Sequence, residues 1–238
     1  MAESYEHRNF DQQIDQGFAA LAPVEEAHMA AARGLLDGLS DEIQGLFGDF
    51  ERNTNEAHAV SATLTPQLQQ LRARAPTTFN QVGLLQEARA LEVRIPAEVN
   101  GRLDAANAAI GMMEPLLFAR ALPTLEDRQE RHDAQREVEM MTSGLSGLQL
   151  VARMNQLASG ADRRLAAVVV STWGKARLGG DEAAHKTVVR VALQGSLAHG
   201  TESEKKHAAA YAALPTAAMK ALATAKTRTR ERLRGRPI

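Results

Sequence analysis

Two Glu-x-x-His pairs, Glu25 with His28 and Glu182 with His185, hold the side chains best suited to chemistry in this 238-residue chain. Positions three apart share a helix face, and two such pairs on facing helices, with two further carboxylates, make the ligand set of a ferritin-like di-iron bundle. No two further carboxylates stand out, and Glu182 occupies a helix first turn, where an acid suits the dipole without any metal. A helical-bundle metalloenzyme is therefore an alternative reading, and no catalytic residue, metal site or cofactor is assigned. Ser146 lies in Gly144-Leu145-Ser146-Gly147, which lacks the Gly-x-Ser-x-Gly spacing of a nucleophile elbow. Gly174-Lys175 lacks the upstream glycine of a phosphate loop and is followed by alanine. With no cysteine, disulfides and thiolate metal sites are excluded.

The second chemical feature is charge. From Lys220 to Arg236 the chain carries Lys220, Lys226, Arg228, Arg230, Arg232, Arg234 and Arg236 against the single acid Glu231, a net +6 in 17 residues. Cations at this density neutralise phosphates and release counterions, so nucleic acid is one natural partner and an acidic protein face another. No aromatic residue is interleaved, so base stacking is not expected and any nucleic-acid contact would be independent of sequence. The net charge of -1 hides a polarity: residues 1–60 sum to -9, residues 61–150 to -2 and residues 151–238 to +10. Such polarity suits contact between copies or one end facing a polyanion; alternatively the two ends fold back and neutralise each other.

Helices must position these groups. Aromatic residues make up 4% of the chain, and alanine, leucine and arginine are abundant, which favours closely packed helices over sheet. The most periodic stretch runs from Val138 to Thr172, with Val138, Met141, Leu145, Leu148, Val151, Leu157, Leu165, Val168 and Val169 spaced as one apolar stripe. One unbroken helix from Thr124 to Thr172 would span about 73 Å at ~1.5 Å per residue, too long for a globule of this size, so a break is expected at Ser143, Gly144 and Gly147. A helix-turn-helix can be drawn from Gln149 to Val170 around Gly160, although the stripe runs straight through that glycine. Residues 167–193 are rich in β-branched side chains, but the interval between their two runs is too long for a tight hairpin, and they are read as helical. Pro23, Pro66, Pro76, Pro96, Pro115 and Pro215 are expected to cut the remainder into helices of some ten to twenty residues. Ser40, Thr65, Thr78 with Gln81, Thr124 with Asp127, Asp181, and Thr201 with Glu204 mark helix starts.

The reading is an all-α bundle of short to medium helices around a central amphipathic region, about 138–172, with a polar N-terminus and a basic C-terminal arm. Its regions are 1–123, acidic to neutral; 124–219, central; and 220–238, the basic tail. One continuous domain over 11–226 is the alternative division. No apolar run approaches the ~20 residues that cross a bilayer, and Met1 to Phe10 lacks the basic start and apolar run of a signal peptide. A soluble protein of the cytoplasm or a virion, without membrane contact, is expected. Its function is expected to be non-enzymatic assembly: a homo-oligomer or a subunit among other structural subunits, such as a phage connector or internal capsid component, with the tail on a neighbour or on nucleic acid. A sequence-independent nucleic-acid-binding accessory protein is the second reading.

Overall fold

The computed structural model describes residues 19–78 and 81–234, the side chains of residue 72 and of residues 74–78 and 81 apart, and all regular structure among them is α-helical. Helix α1 covers residues 19–33. It is followed by α2 (Asp41–Thr78), α3 (Gln81–Ala121), α4 (Arg128–Met141), α5 (Gly147–Ser159), α6 (Arg163–Val170), α7 (Thr172–Arg177), α8 (Glu182–His199) and α9 (Glu202–Arg234). The chain divides into two compact units. Unit 1 takes the chain through Gly34, Asp41–Met113 and Leu214 onward; unit 2 takes Leu35–Ser40 and Glu114–Ala213.

Unit 1 is built on long seams. In α2 the buried positions are Ile43, Phe47, Phe50, Thr54, Ala57, Ser61, Leu64 and Leu68, alternating four and three residues apart. That is the a/d pattern of a coiled coil, and it keeps one face turned to a partner for the whole length of the helix. In α3, Ile95, Val99, Leu103, Ala106, Ile110 and Met113 also recur at fours and threes, as do Leu214, Ala218, Leu222, Ala225 and Thr229 in α9, each opening with two successive fours where α2 alternates strictly. Cross-helix pairs fix the directions. Arg33 Nε donates to Glu51 Oε1 at 2.5 Å, while Arg102 Nη1 lies 2.8 Å from Glu56 Oε2 and Arg94 Nη2 donates to Gln67 at 3.3 Å. With Glu25 meeting His58 at 2.8 Å as the second α1–α2 pair, higher numbers on one helix meet lower numbers on the next, so α1 with α2 and α2 with α3 run antiparallel.

These seams explain why the prolines fail to end helices. Pro23 lies within α1, Pro66 and Pro76 within α2, Pro96 and Pro115 within α3, and Pro215 within α9. A proline inside a helix removes one hydrogen bond and costs about 3 kcal/mol. Leu64 and Leu68 are buried on either side of Pro66, Ile95 and Val99 around Pro96, and Leu214 and Ala218 around Pro215, while the prolines themselves keep contact with solvent. Burial on both sides offsets the lost bond. Thr65 is consequently interior to α2, and the Ser40 hydroxyl makes no capping bond. Thr78 with Gln81 falls outside the described side chains.

Unit 2 holds a core built on part of the 138–172 stripe; Leu148 is 88% exposed, because the phase of α5 turns Leu150 and Met154 inward in its place. Ala134, Val138, Leu150, Met154, Leu157, Ala158, Leu165, Val168 and Val169 pack with Val188 and Ala192 of α8, and Trp173 packs against their edge. The chain breaks between α4 and α5, where Gly144 takes φ 71 and Gly147 φ 52, and breaks again at Gly160. There Asp162 starts α6 by accepting from the Arg164 N–H at 3.0 Å. Residues 167–193 are helical, within α6, α7 and α8. Two further starts follow their capping signals: Asp181 accepts from Ala183 and Ala184, and Thr201 and Glu204 form a reciprocal box at 3.0 and 3.1 Å. The helix expected from Thr124 begins later, at Arg128, because Asp127 and not Thr124 is its cap, accepting from the Glu130 N–H at 2.7 Å.

Helices α5 and α8 meet closely at Gly195, where a Cβ would lie 2.7 Å from the Ala158 carbonyl oxygen. Gly195→Ala must push the two backbones apart, with an expected loss of about 1–3 kcal/mol, as for other overpacked cores. Denaturant titration followed by the fluorescence of Trp173, which sits in the same unit, checks this. An unchanged midpoint would mean that the contact is looser than described.

Candidate functional site

In unit 1 an arginine and a histidine converge on one buried carboxylate, Glu25. Its side chain points from α1 into the space between α2 and α9, and the residue is only 5% exposed. Arg228 Nη1 donates to Glu25 Oε2 at 2.7 Å, and His58 Nε2 lies 2.8 Å from Oε1. One turn along, Thr224 Oγ1 stands 3.5 Å from His28 Nδ1, so α1 and α9 also run antiparallel. The acidic first third and basic last third of the sequence are thus joined within this unit, 203 residues apart.

Burial alone would raise the Glu25 pKa. The hydrogen bonds from His58 and Arg228, with the charges behind them, outweigh it and hold the carboxyl below its ordinary value of 4.5. The carboxylate is therefore the acceptor for both neighbours, and His58 donates through Nε2 while its buried Nδ1 has no hydrogen-bond partner. A group whose folded pKa is depressed contributes stability above its unfolded pKa and loses it as pH falls through the folded value. Glu25 is accordingly expected to make unit 1 steadily less stable as pH drops below 4.5. Acid titration by circular dichroism checks this, with Glu25→Gln showing a shallower loss over the same range; equal slopes would remove Glu25 from the effect.

The residues singled out for chemistry are otherwise engaged. Glu25 and His28 belong to unit 1, and Glu182 and His185 to unit 2. Glu182 pairs with Lys175 on the surface, and His185 Nε2 meets the Val170 carbonyl at 3.1 Å. Among the described residues no group of three or more His, Asp or Glu side chains is placed to hold a metal ion. Ser146 precedes α5 without a side-chain capping bond, and Lys175 is taken by Glu182. A helix-turn-helix shape does form around Gly160, but Leu165, Ala166, Ala167, Val168 and Val169 are all buried, which leaves α6 no face to lay in a groove.

The basic segment is helical, part of α9 as far as Arg234, and Arg236 lies outside the described residues. Its cations divide by face. Arg228 turns inward to Glu25. Lys220, Arg230 and Arg234 are exposed, and Lys226 and Arg232 are partly exposed at the margins. Arg234 adds a loose pair with Glu231 at 3.8 Å.

Unit 2 contains a second buried polar cluster. Arg163 donates to Ser196 Oγ at 2.6 Å and to the Ala158 carbonyl at 3.4 Å, with Glu204 Oε2 3.8 Å from its Nε. Burial pushes the Arg163 pKa down, and Glu204 only partly offsets it. The cluster ties α6 to α8 and to the start of α9. It has neither a nucleophile activated by a base nor a group of metal ligands, and its chemistry is that of a structural pin.

Glu25 was visible in the sequence only as half of a metal-binding pattern, and His58 carried no signal. Their meeting with Arg228 could have been sought only through the opposite charges of the two ends. No protein family, no curated protein and no solved structure matches the chain.

Proposed function

We propose that this chain is a non-enzymatic assembly protein. It is a helical subunit of a homo-oligomeric or virion-like particle, such as a phage connector or internal capsid component, with the outer face of α9 turned to a neighbouring subunit or to nucleic acid. The observation that carries this reading is the two-sided character of α9. Its inner face is locked through Arg228 to a buried carboxylate, while Lys220, Arg230 and Arg234 stand outward. A helix held this way presents cations in a fixed array, which a merely solubilising charge would not require. The exposed Val93 and Met112 of α3, at 72% and 52%, add apolar side chains available to a neighbour. Light scattering across protein and salt concentrations tests the proposal. Self-association that weakens with salt is expected, and a monomer under every condition would reject it.

The accessory nucleic-acid-binding role is the second reading. It is favoured by the absence of any acid between Lys205 and Arg230.

A further inference from the structure

We propose that the outer face of α9, formed by Lys220, Lys226, Arg230 and Arg234, is a track for the phosphate backbone of nucleic acid, read without regard to base sequence, and that Arg228 is no part of it. The proposal rests on the reading of α9 as the partner-facing element and names the partner.

The track follows from helix geometry. Exposed positions 216, 220, 223, 227, 230 and 234 recur three and four residues apart and so lie on one face, with Lys226 at its margin. From Lys220 to Arg234 the face runs about 21 Å at ~1.5 Å per residue, the length of roughly six base pairs at 3.4 Å each. Between the cations stand Ala223 and Thr227, both exposed and both small, so a phosphate backbone can approach the helix closely. Among the described residues Lys220, Lys226 and Arg230 form no ion pair, and the single acid within the Lys220–Arg234 stretch, Glu231, leans toward Arg234.

Three features favour phosphate over the other anionic partners. Protein interfaces are anchored by desolvated aromatic or large apolar side chains; on this face the large apolar side chain is Met219, 46% exposed at the end beside Lys220, and from Lys220 to Arg234 no large apolar side chain is exposed. A helix that lies on an anionic membrane buries its apolar face in the lipid, but Ala218, Ala221, Leu222 and Ala225 of α9 are already buried within the protein. Without an aromatic platform or a helix free to enter a groove, the contacts available are to phosphates, which position a duplex without reading it.

The test uses the intact chain and two duplex DNAs of unrelated sequence, with binding followed by fluorescence anisotropy as salt is raised. Four phosphate contacts predict that both duplexes bind alike and that affinity falls about 150-fold over a fourfold rise in salt, from a slope near -0.9 per contact. Lys220→Gln/Arg230→Gln/Arg234→Gln should leave a salt dependence of only about 3.5-fold over the same range and bind far more weakly at low salt. Arg89→Gln/Lys186→Gln/Arg190→Gln removes as many exposed charges elsewhere and should retain the full salt response. Circular dichroism melts establish that both variants are folded.

The proposal is overturned if the wild type does not bind at low salt, or if both triple variants lose affinity equally. It is overturned in favour of an acidic protein partner if polyglutamate displaces DNA charge for charge. Tighter binding to phosphatidylserine vesicles than to DNA overturns it in favour of a membrane. Light scattering without DNA separates this proposal from the assembly reading. A monomer that binds DNA as described leaves the track standing and removes self-assembly; an oligomer indifferent to DNA does the reverse.

Discussion

Replacing Glu25 by alanine is expected to lower the stability of unit 1 by about 3–5 kcal/mol, the cost of stripping one partner from a buried ion pair. The magnitude follows from burial: the Glu25 side chain is 7% exposed and that of Arg228 15%, so water screens the pair little and cannot replace the lost partner. Arg228→Ala should cost less, because Glu25 keeps its hydrogen bond with His58 at 2.8 Å. Converting both ends to apolar side chains of similar size, Glu25→Leu with Arg228→Met, should recover part of the loss, since the Arg228 charge goes with its partner while His58 still loses its acceptor. Urea titration by circular dichroism is the appropriate measurement, because the sole tryptophan, Trp173, belongs to the other unit. A loss below 1 kcal/mol for Glu25→Ala would mean that the pair is open to solvent.

Phe50→Ala should cost as much for a different reason. Phe50 is fully buried in the α2 seam, with its ring centroid 5.4 Å from that of Phe47 and its carbonyl accepting from Thr54 Oγ1 at 2.8 Å. Truncation removes the transfer energy of the ring and leaves a cavity that a long continuous helix cannot easily collapse, about 3–5 kcal/mol in all. The same titration reads it. Near-neutral behaviour would mean that α2 does not keep this face inward.

How legible was this fold in the sequence? The all-helical class and the unit 2 core were, because both rest on local spacing: the run of Val138, Leu157, Leu165 and Val168 states its own partner face. Helix starts at Asp181 and Thr201 were legible for the same reason, since a cap involves residues two or three apart. Helix lengths were not. Prolines were read as terminators, yet a four-three seam such as Ile43 to Leu68 supplies tertiary burial that outweighs one lost hydrogen bond, and that burial depends on chains distant in sequence. Gly160 misled in the opposite sense, because the apolar stripe continues on both sides of the break that ends α5 and begins α6.

The site shows the same division. The basic segment was plain from composition, but which of its arginines face inward depends on helical phase and on where Glu25 lies. Arg228 and Arg230 look equivalent in the sequence and have different tasks in the fold. The alternation of arginines from Arg228 to Arg236 suggests one extended array; wound into α9, Arg228, Arg230, Arg232 and Arg234 spread to different faces, and of these four only Arg230 and Arg234 are turned fully outward.

Exposed cations on a locked helix, together with the charge polarity along the sequence, make joining the chain's proposed role. Electron-microscope images of the purified protein at low salt test that claim most directly, because they show symmetry as well as size. The account predicts particles of several copies in a repeated arrangement, dispersing as salt is raised. Uniform single chains of 25.7 kDa at low salt and high protein concentration would contradict it.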